Sequence, residues 1–290
     1  MILPLMMLAA MAQSSQPAPS FADLVPADAK IEKVATGFGF LEGPAWLDGR
    51  LVFSDIPKDT IHALEADGPQ VFRTPSHNAN GNTVHDGVLY TCEHSSRVVS
   101  TTTDGERTVL VHEWDGKKFN SPNDIVVHSS GIVYFTDPYW GLPADKRDEL
   151  MEYGGCYVFR VDGTEVVPVA KDFGRPNGLA FSPDESILYI GDDEKKHVRK
   201  FTVENDGSLS GGEVFCEIDP GVPDGMRVDT AGNLWCTAGD GVQVFAPDGT
   251  HLGTVECPES PANCELADGY LWMTARSSLY RIKVNAQPAM

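Results

Sequence analysis

The chain has 290 residues, enough for two ordinary domains or for one large all-β domain. Its 42 acidic and 22 basic residues give a net charge of −20, which argues against a nucleic-acid partner and against docking on an anionic membrane. Apolar residues at 41% exclude a disordered chain, while 28 glycines and 20 prolines, about one every six residues, favour short strands and turns over long helices.

The first twenty residues, MILPLMMLAAMAQSSQPAPS, form an apolar run ending in Ala10-Met11-Ala12 and then a polar linker. This is the pattern of a secretory signal cleaved near Ala12, and it places the mature protein in the periplasm or outside the cell. No Lys or Arg precedes the run, so a cytoplasmic location is the alternative. Residues 21–290 then make one domain. Beyond the leader no apolar stretch reaches the roughly 18 residues that a spanning helix needs. Export would permit disulfides among Cys92, Cys156, Cys216, Cys236, Cys257 and Cys264. None of these stands in a CxxC or Cys/His metal spacing, and several fall in strand-like runs, so buried free thiols are expected for most of them.

From residue 42 onward one phrase recurs six times: an Asn, Asp or Glu, a few apolar residues, a turn, then a strand ending in a small, hydroxyl or acidic residue. The copies are EGPAWLDGRLVFSD at 42–55, NGNTVHDGVLYTCE at 80–93, NDIVVHSSGIVYFTD at 123–137, NGLAFSPDESILYIGD at 177–192, DGMRVDTAGNLWCTA at 224–238 and NCELADGYLWMTA at 263–275. Their lead residues are 38, 43, 54, 47 and 39 positions apart, and a further strand-like run follows each copy. A unit of this length with several strands and Asp-Gly turns is the size of a propeller blade. Such a blade cannot bury both faces alone, and radial packing against its neighbours does so. A solenoid of the same units would want capping repeats, which are not seen. The last copy has little chain after it, whereas IEKVATGF at 31–38 precedes the first. The expectation is therefore an all-β, six-bladed β-propeller whose N-terminal segment supplies a strand to the last blade and closes the ring.

The lead residues are Glu42, Asn80, Asn123, Asn177, Asp224 and Asn263. Taken singly, each is an ordinary turn initiator. Six in register, each with a side-chain oxygen, are expected to face a common central channel. Two carboxylates and several amide carbonyls form a hard-donor set, which suits one divalent cation: Ca²⁺ first, with Mg²⁺, Mn²⁺ or Zn²⁺ as further candidates. Such an ion would also offset the repulsion between Glu42 and Asp224. Glu93 and His94 follow a predicted strand near the channel mouth, and His94 is the imidazole best placed to assist proton transfer. Tyr139 and Trp140 are expected on a loop lining the pocket, where aromatic faces pack on sugar rings. Asp137 and Asp192 end strands and are expected to make turn hydrogen bonds. Neither a nucleophile elbow nor a phosphate-cradling glycine loop is present.

EGPAW at 42–46, SPNDIVV at 121–127, RPNGLAFSPD at 175–184, PDGMRVD at 223–229 and PANC with LWMTARSSLYRI at 261–282 together resemble the gluconolactonase/regucalcin-like (SMP-30) family over roughly residues 30 to 284. FTDPYWGLP at 135–143 and CEHSSRV at 92–98 look more like its bacterial sugar-lactonase branch. The resemblance implies a six-bladed propeller that opens a sugar lactone, with one divalent cation polarising the carbonyl and activating water. It implies Glu42, Asn123, Asn177 and Asp224 as metal ligands, and Asp224 also as the base beside the attacking water. Asn80, with Asn78 nearby, would contact substrate oxygens, and Asn263 would not be a ligand. His77 and Asn78 replace an arginine that some relatives carry, which leaves the identity of the lactone open. A phosphotriesterase on the same site and a non-catalytic propeller binding calcium or another ligand are the alternative readings.

Overall fold

The computed structural model describes residues 19–289. The leader and its cleavage position near Ala12 lie outside the described residues. Six four-stranded antiparallel sheets follow one another along the chain, the first five each a simple meander. The innermost strands of the blades are, in order, Leu41–Leu47, Ala79–His85, Ile125–Val127, Pro176–Phe181, Met226–Val228 and Asn263–Ala267. In the sixth blade the outermost strand is Glu32–Thr36, paired antiparallel with Ser278–Lys283. The ring therefore closes as the sequence predicts. The seam is held by the Glu32–Arg281 ion pair at 2.9 Å and by the Leu41 amide donating to the Arg276 carbonyl at 2.8 Å.

Six apolar clusters fill the six interfaces between adjacent blades, which is why the middle strands read as nearly unbroken apolar runs. Phe53, Phe135, Trp235 and Tyr280 are among their largest buried side chains. The short helix Phe21–Leu24 packs on the interface of blades five and six. All six cysteines are free, and all but Cys257 are fully buried.

Around the axis the inner strands lie close enough for the glycines after four of the lead residues to touch the next blade. Gly43, in the left-handed region at φ +46°, lies against the second blade, where a Cβ would come 2.1 Å from the Asn80 carbonyl oxygen. A Cβ on Gly178 would come equally close, 2.1 Å, to the Asp224 carbonyl oxygen. The Gly81 amide donates to the Asn123 carbonyl at 2.8 Å and the Gly178 amide to the Asp224 carbonyl at 3.1 Å. The Asn-Gly and Asp-Gly pairs that look like turn signals are thus where neighbouring blades are stitched at the axis. At or just after the lead residue, the register of the first, second and fourth inner strands slips, between Glu42 and Ala45, Ala79 and Asn82, and Pro176 and Leu179. A bulge of this kind re-aims a side chain. Here three bulges coincide with three lead residues.

Candidate active site

At one end of the channel a cavity of about 290 Å³ is lined by Glu42, Asn80, Asn123, Asn177 and Asp224, one from each of five consecutive blades. His94, Phe40, Ile56, Trp140 and Asp193 complete its wall. The sixth lead residue, Asn263, stands behind Glu42: its amide donates to Glu42 Oε2 at 3.1 Å, while its own Oδ1 accepts from the Cys264 amide at 2.9 Å. The Gly43 amide holds the same Glu42 oxygen at 2.8 Å. Asn263 orients a carboxylate and does not itself line the cavity.

Burial and then the neighbouring Asp124 push the Glu42 carboxyl up to about 7. Burial, followed by the charges of Glu42, Asp124 and Asp193, pushes Asp224 well above the carboxylate range, with the Asn177 amide partly offsetting this. Burial also raises Asp124 to about 6, and its Oδ2 has no hydrogen-bond partner. The cup thus concentrates acidic groups that resist ionising together, which is the situation a bound cation relieves. The counter-charge below it is Arg227, largely but not fully buried, donating to Glu265 Oε2 at 2.9 Å and to the Pro44 carbonyl at 2.9 Å. Among the described residues no three acidic, imidazole or thiol side chains form a metal-sized group. A cation held by Glu42 and Asp224 would draw its further side-chain ligands from the amide oxygens that line the same cavity, on Asn80, Asn123 and Asn177. An all-oxygen set of this composition fits a hard cation.

Two of the expected substrate-facing groups are well placed. Asn80 donates from Nδ2 to His94 Nε2 at 3.1 Å, both side chains being buried. Burial holds the His94 imidazole down at about 4, so it is neutral at physiological pH, with Nε2 accepting and Nδ1 carrying the proton.

Three others are not. Glu93 is the last residue of the strand Val88–Glu93, and His94 stands in the turn that follows; Glu93 faces away from the channel and points into the blade. There it accepts from Arg107 Nη2 at 2.6 Å, Arg73 Nη2 at 3.1 Å and the hydroxyls of Ser96 and Ser100, both at 2.6 Å. Burial alone would raise its pKa, but these partners hold it below the usual range. Asn78 donates through Nδ2 to the Ile56 carbonyl at 2.7 Å, and its own carbonyl accepts the His94 amide at 3.3 Å. It braces the wall without lining it. Tyr139 stacks under the Arg147 guanidinium at 4.2 Å, and its neighbour Trp140 takes the place in the cavity wall. Asp137 and Asp192 instead tie the strands they end to the segments leading into the inner strands, accepting from the Asn120 and Ser121 amides and from the Gly174 and Arg175 amides respectively; of the two, Asp192 also accepts in its own turn, from the Lys195 amide at 3.3 Å. Asp124 and Arg227 were not singled out from the sequence, although each follows a lead residue within three positions.

Residues 40–280 match the family model described as SMP-30/Gluconolactonase/LRE-like region. The chain belongs to that family. It is 32% identical over 288 residues to a gluconolactonase of Zymomonas mobilis, covering 87% of this chain and 81% of that one. A pentonolactonase of Haloferax volcanii is 30% identical over 227 residues, covering 75% and 73% of the two chains. The solved structure of a gluconolactonase from Xanthomonas campestris superposes with a TM-score of 0.84 at 33% identity, covering 91% of this chain and 92% of the other.

Proposed function

We propose that this protein is a lactonase that opens a sugar lactone with the help of one divalent cation held by Glu42, Asn123, Asn177 and Asp224. The observation that carries the reading is the convergence of these four side chains and Asn80 on one cavity, in a chain whose relatives are gluconolactonases and a pentonolactonase. Ca²⁺ suits the all-oxygen set best. When bound, such a cation polarises an ester carbonyl and makes a nearby water more acidic.

The chain's own side chains do the rest. Asp224 accepts the proton of the attacking water. Neutral His94, fixed by Asn80, presents Nδ1–H as a hydrogen-bond donor to a substrate oxygen, and Asn80 positions a hydroxyl beside it. Phe40, Ile56 and Trp140 supply the apolar wall against which a sugar ring packs. The proton Asp224 takes is returned to the ring oxygen as the lactone opens, so the hydroxy acid leaves with the enzyme unchanged.

A panel of sugar lactones and phosphotriesters followed with a pH indicator tests the reading. Lactone hydrolysis that is lost in Asp224→Asn is expected; turnover of phosphotriesters alone, or of nothing, would overturn it. The proposal includes a removable leader within residues 1–20 and a periplasmic or secreted location, checked by the N-terminal sequence of the mature protein.

A further inference from the structure

Beside the acidic cup, sharing Phe40 and Asp224 with it, lies a second cleft of about 390 Å³ between the fifth and sixth blades. Its walls are small. Gly221 and Gly239 meet so closely that a Cβ on Gly221 would come 2.4 Å from the Gly239 nitrogen. Ala238, Ser260 and Ala262 continue the wall, and Arg276, on the hairpin turn after Tyr270–Ala275, stands exposed within it.

The Arg276 guanidinium lies over the Phe40 ring at 5.9 Å and, among the described residues, has no carboxylate or carbonyl partner. Two other arginines near the same face are spent internally. Arg97, at the corresponding turn of the second blade, donates to the Phe119 and Leu150 carbonyls. Arg175, stacked over Trp140, is paired with Asp193. Arg276 therefore presents an uncommitted planar cation in a cleft continuous with the reaction site.

We propose that Arg276 binds a second anionic group of the substrate, a carboxylate or phosphate remote from the reacting ester, so that the preferred substrate is the lactone of a sugar acid bearing an additional negative charge. The inference rests on the lactonase reading for the identity of the reacting end. A guanidinium fork matches either anion with two parallel hydrogen bonds. Glu42, Asp124, Asp193 and Asp224 on the cup side repel an incoming anion, and Arg276 counters them in the adjoining cleft. The small wall residues leave space for the carbon chain that separates the ester from its charged end.

Calorimetric binding of gluconate, glucarate and 6-phosphogluconate, in buffer containing Ca²⁺, tests the site without requiring turnover. Glucarate or 6-phosphogluconate is expected to bind the full chain about tenfold more tightly than gluconate, the order of one charge-assisted hydrogen-bonded pair. That preference should vanish in Arg276→Met and persist in part in Arg276→Lys, with matching melting temperatures showing that both variants fold. Preference for glucarate alone identifies a carboxylate end, and for 6-phosphogluconate alone a phosphate end. With lactones as substrates, the ratio of kcat/KM for the charged over the neutral lactone should fall about tenfold in Arg276→Met, mainly through KM. Equal affinities in the unaltered protein, or a preference that survives Arg276→Met, overturns the proposal. Selective, Arg276-dependent binding without hydrolysis of any lactone upholds the anion site and overturns the lactonase reading instead.

Discussion

Replacing Glu42 by Gln removes one of the acidic groups that the ring of inner strands forces together. Without a cation, burial and then Asp124 raise the Glu42 carboxyl from its ordinary 4.5 to about 7. The unfolded chain ionises this group at the lower value and the folded chain only at the higher one. Its contribution is therefore least unfavourable below pH 4.5, and folding loses stability as pH rises through the window to about 7. The whole difference corresponds to about 3 kcal/mol. The Gly43 and Asn263 amides both donate to Oε2, so a glutamine keeps an oxygen for them but without the charge, which returns about 1 kcal/mol. Above pH 8, in chelator, Glu42→Gln should therefore be more stable than the parent by about 2 kcal/mol, a rise in Tm of about 3–4 °C. At pH 4 the gap should close. Added Ca²⁺ should raise the Tm of the parent and much less that of the variant. Thermal melts across pH, with chelator or with Ca²⁺, read all of this. A variant that melts below the parent in chelator at pH 8, or by the same margin at pH 4 and pH 8, would refute the claim that the cup is an acidic site in need of a cation.

Glu93→Gln should destabilise the protein by about 2–4 kcal/mol, because Arg73 and Arg107 lose their shared carboxylate, yet leave kcat per folded molecule unchanged; urea melts and active-site-normalised rates check both halves. With His94 held at about 4, kcat/KM should show no inflection from it between pH 5.5 and 7.5. An inflection near the ordinary histidine pKa that disappears in His94→Gln would contradict the neutral-donor role. Gly43→Ala should cost more than about 3 kcal/mol, since its Cβ would meet the Asn80 carbonyl at 2.1 Å in a left-handed backbone. A variant that melts like the parent would show that the inner ring has more room than this.

The blades and their closure were legible in the sequence because each repeat carries its own strands, turns and apolar middle run, and because IEKVATGF has no other place to pair. The lead residues were legible as a set and not singly: Asn-Gly at 80–81 or 177–178 is indistinguishable from a turn until the next blade is seen packed on the glycine. What remained hidden depends on side-chain direction. Glu93 and His94 are neighbours in the chain, yet Glu93 ends a strand and points into the blade while His94, in the turn that follows, lines the cavity. Of Tyr139 and Trp140, both expected at the pocket, only Trp140 lines it while Tyr139 stacks under Arg147, and Asn78 spends its amide on Ile56. Arg227 and Arg276 acquire meaning only from elements far away in sequence: Arg227 from Pro44, and Arg276 from Phe40 together with a cleft floored by the glycines of two other loops.

The central claim, a cation held by Glu42, Asn123, Asn177 and Asp224 that is required for lactone opening, is tested most directly by one measurement. Glucono-1,5-lactone hydrolysis is followed in protein stripped with chelator, before and after adding back Ca²⁺, Mg²⁺, Mn²⁺ or Zn²⁺ singly. The stripped protein should fall to the uncatalysed rate and recover with at least one of these ions, and Asp224→Asn should recover with none. Undiminished hydrolysis by the stripped protein, its folding intact, would contradict the account.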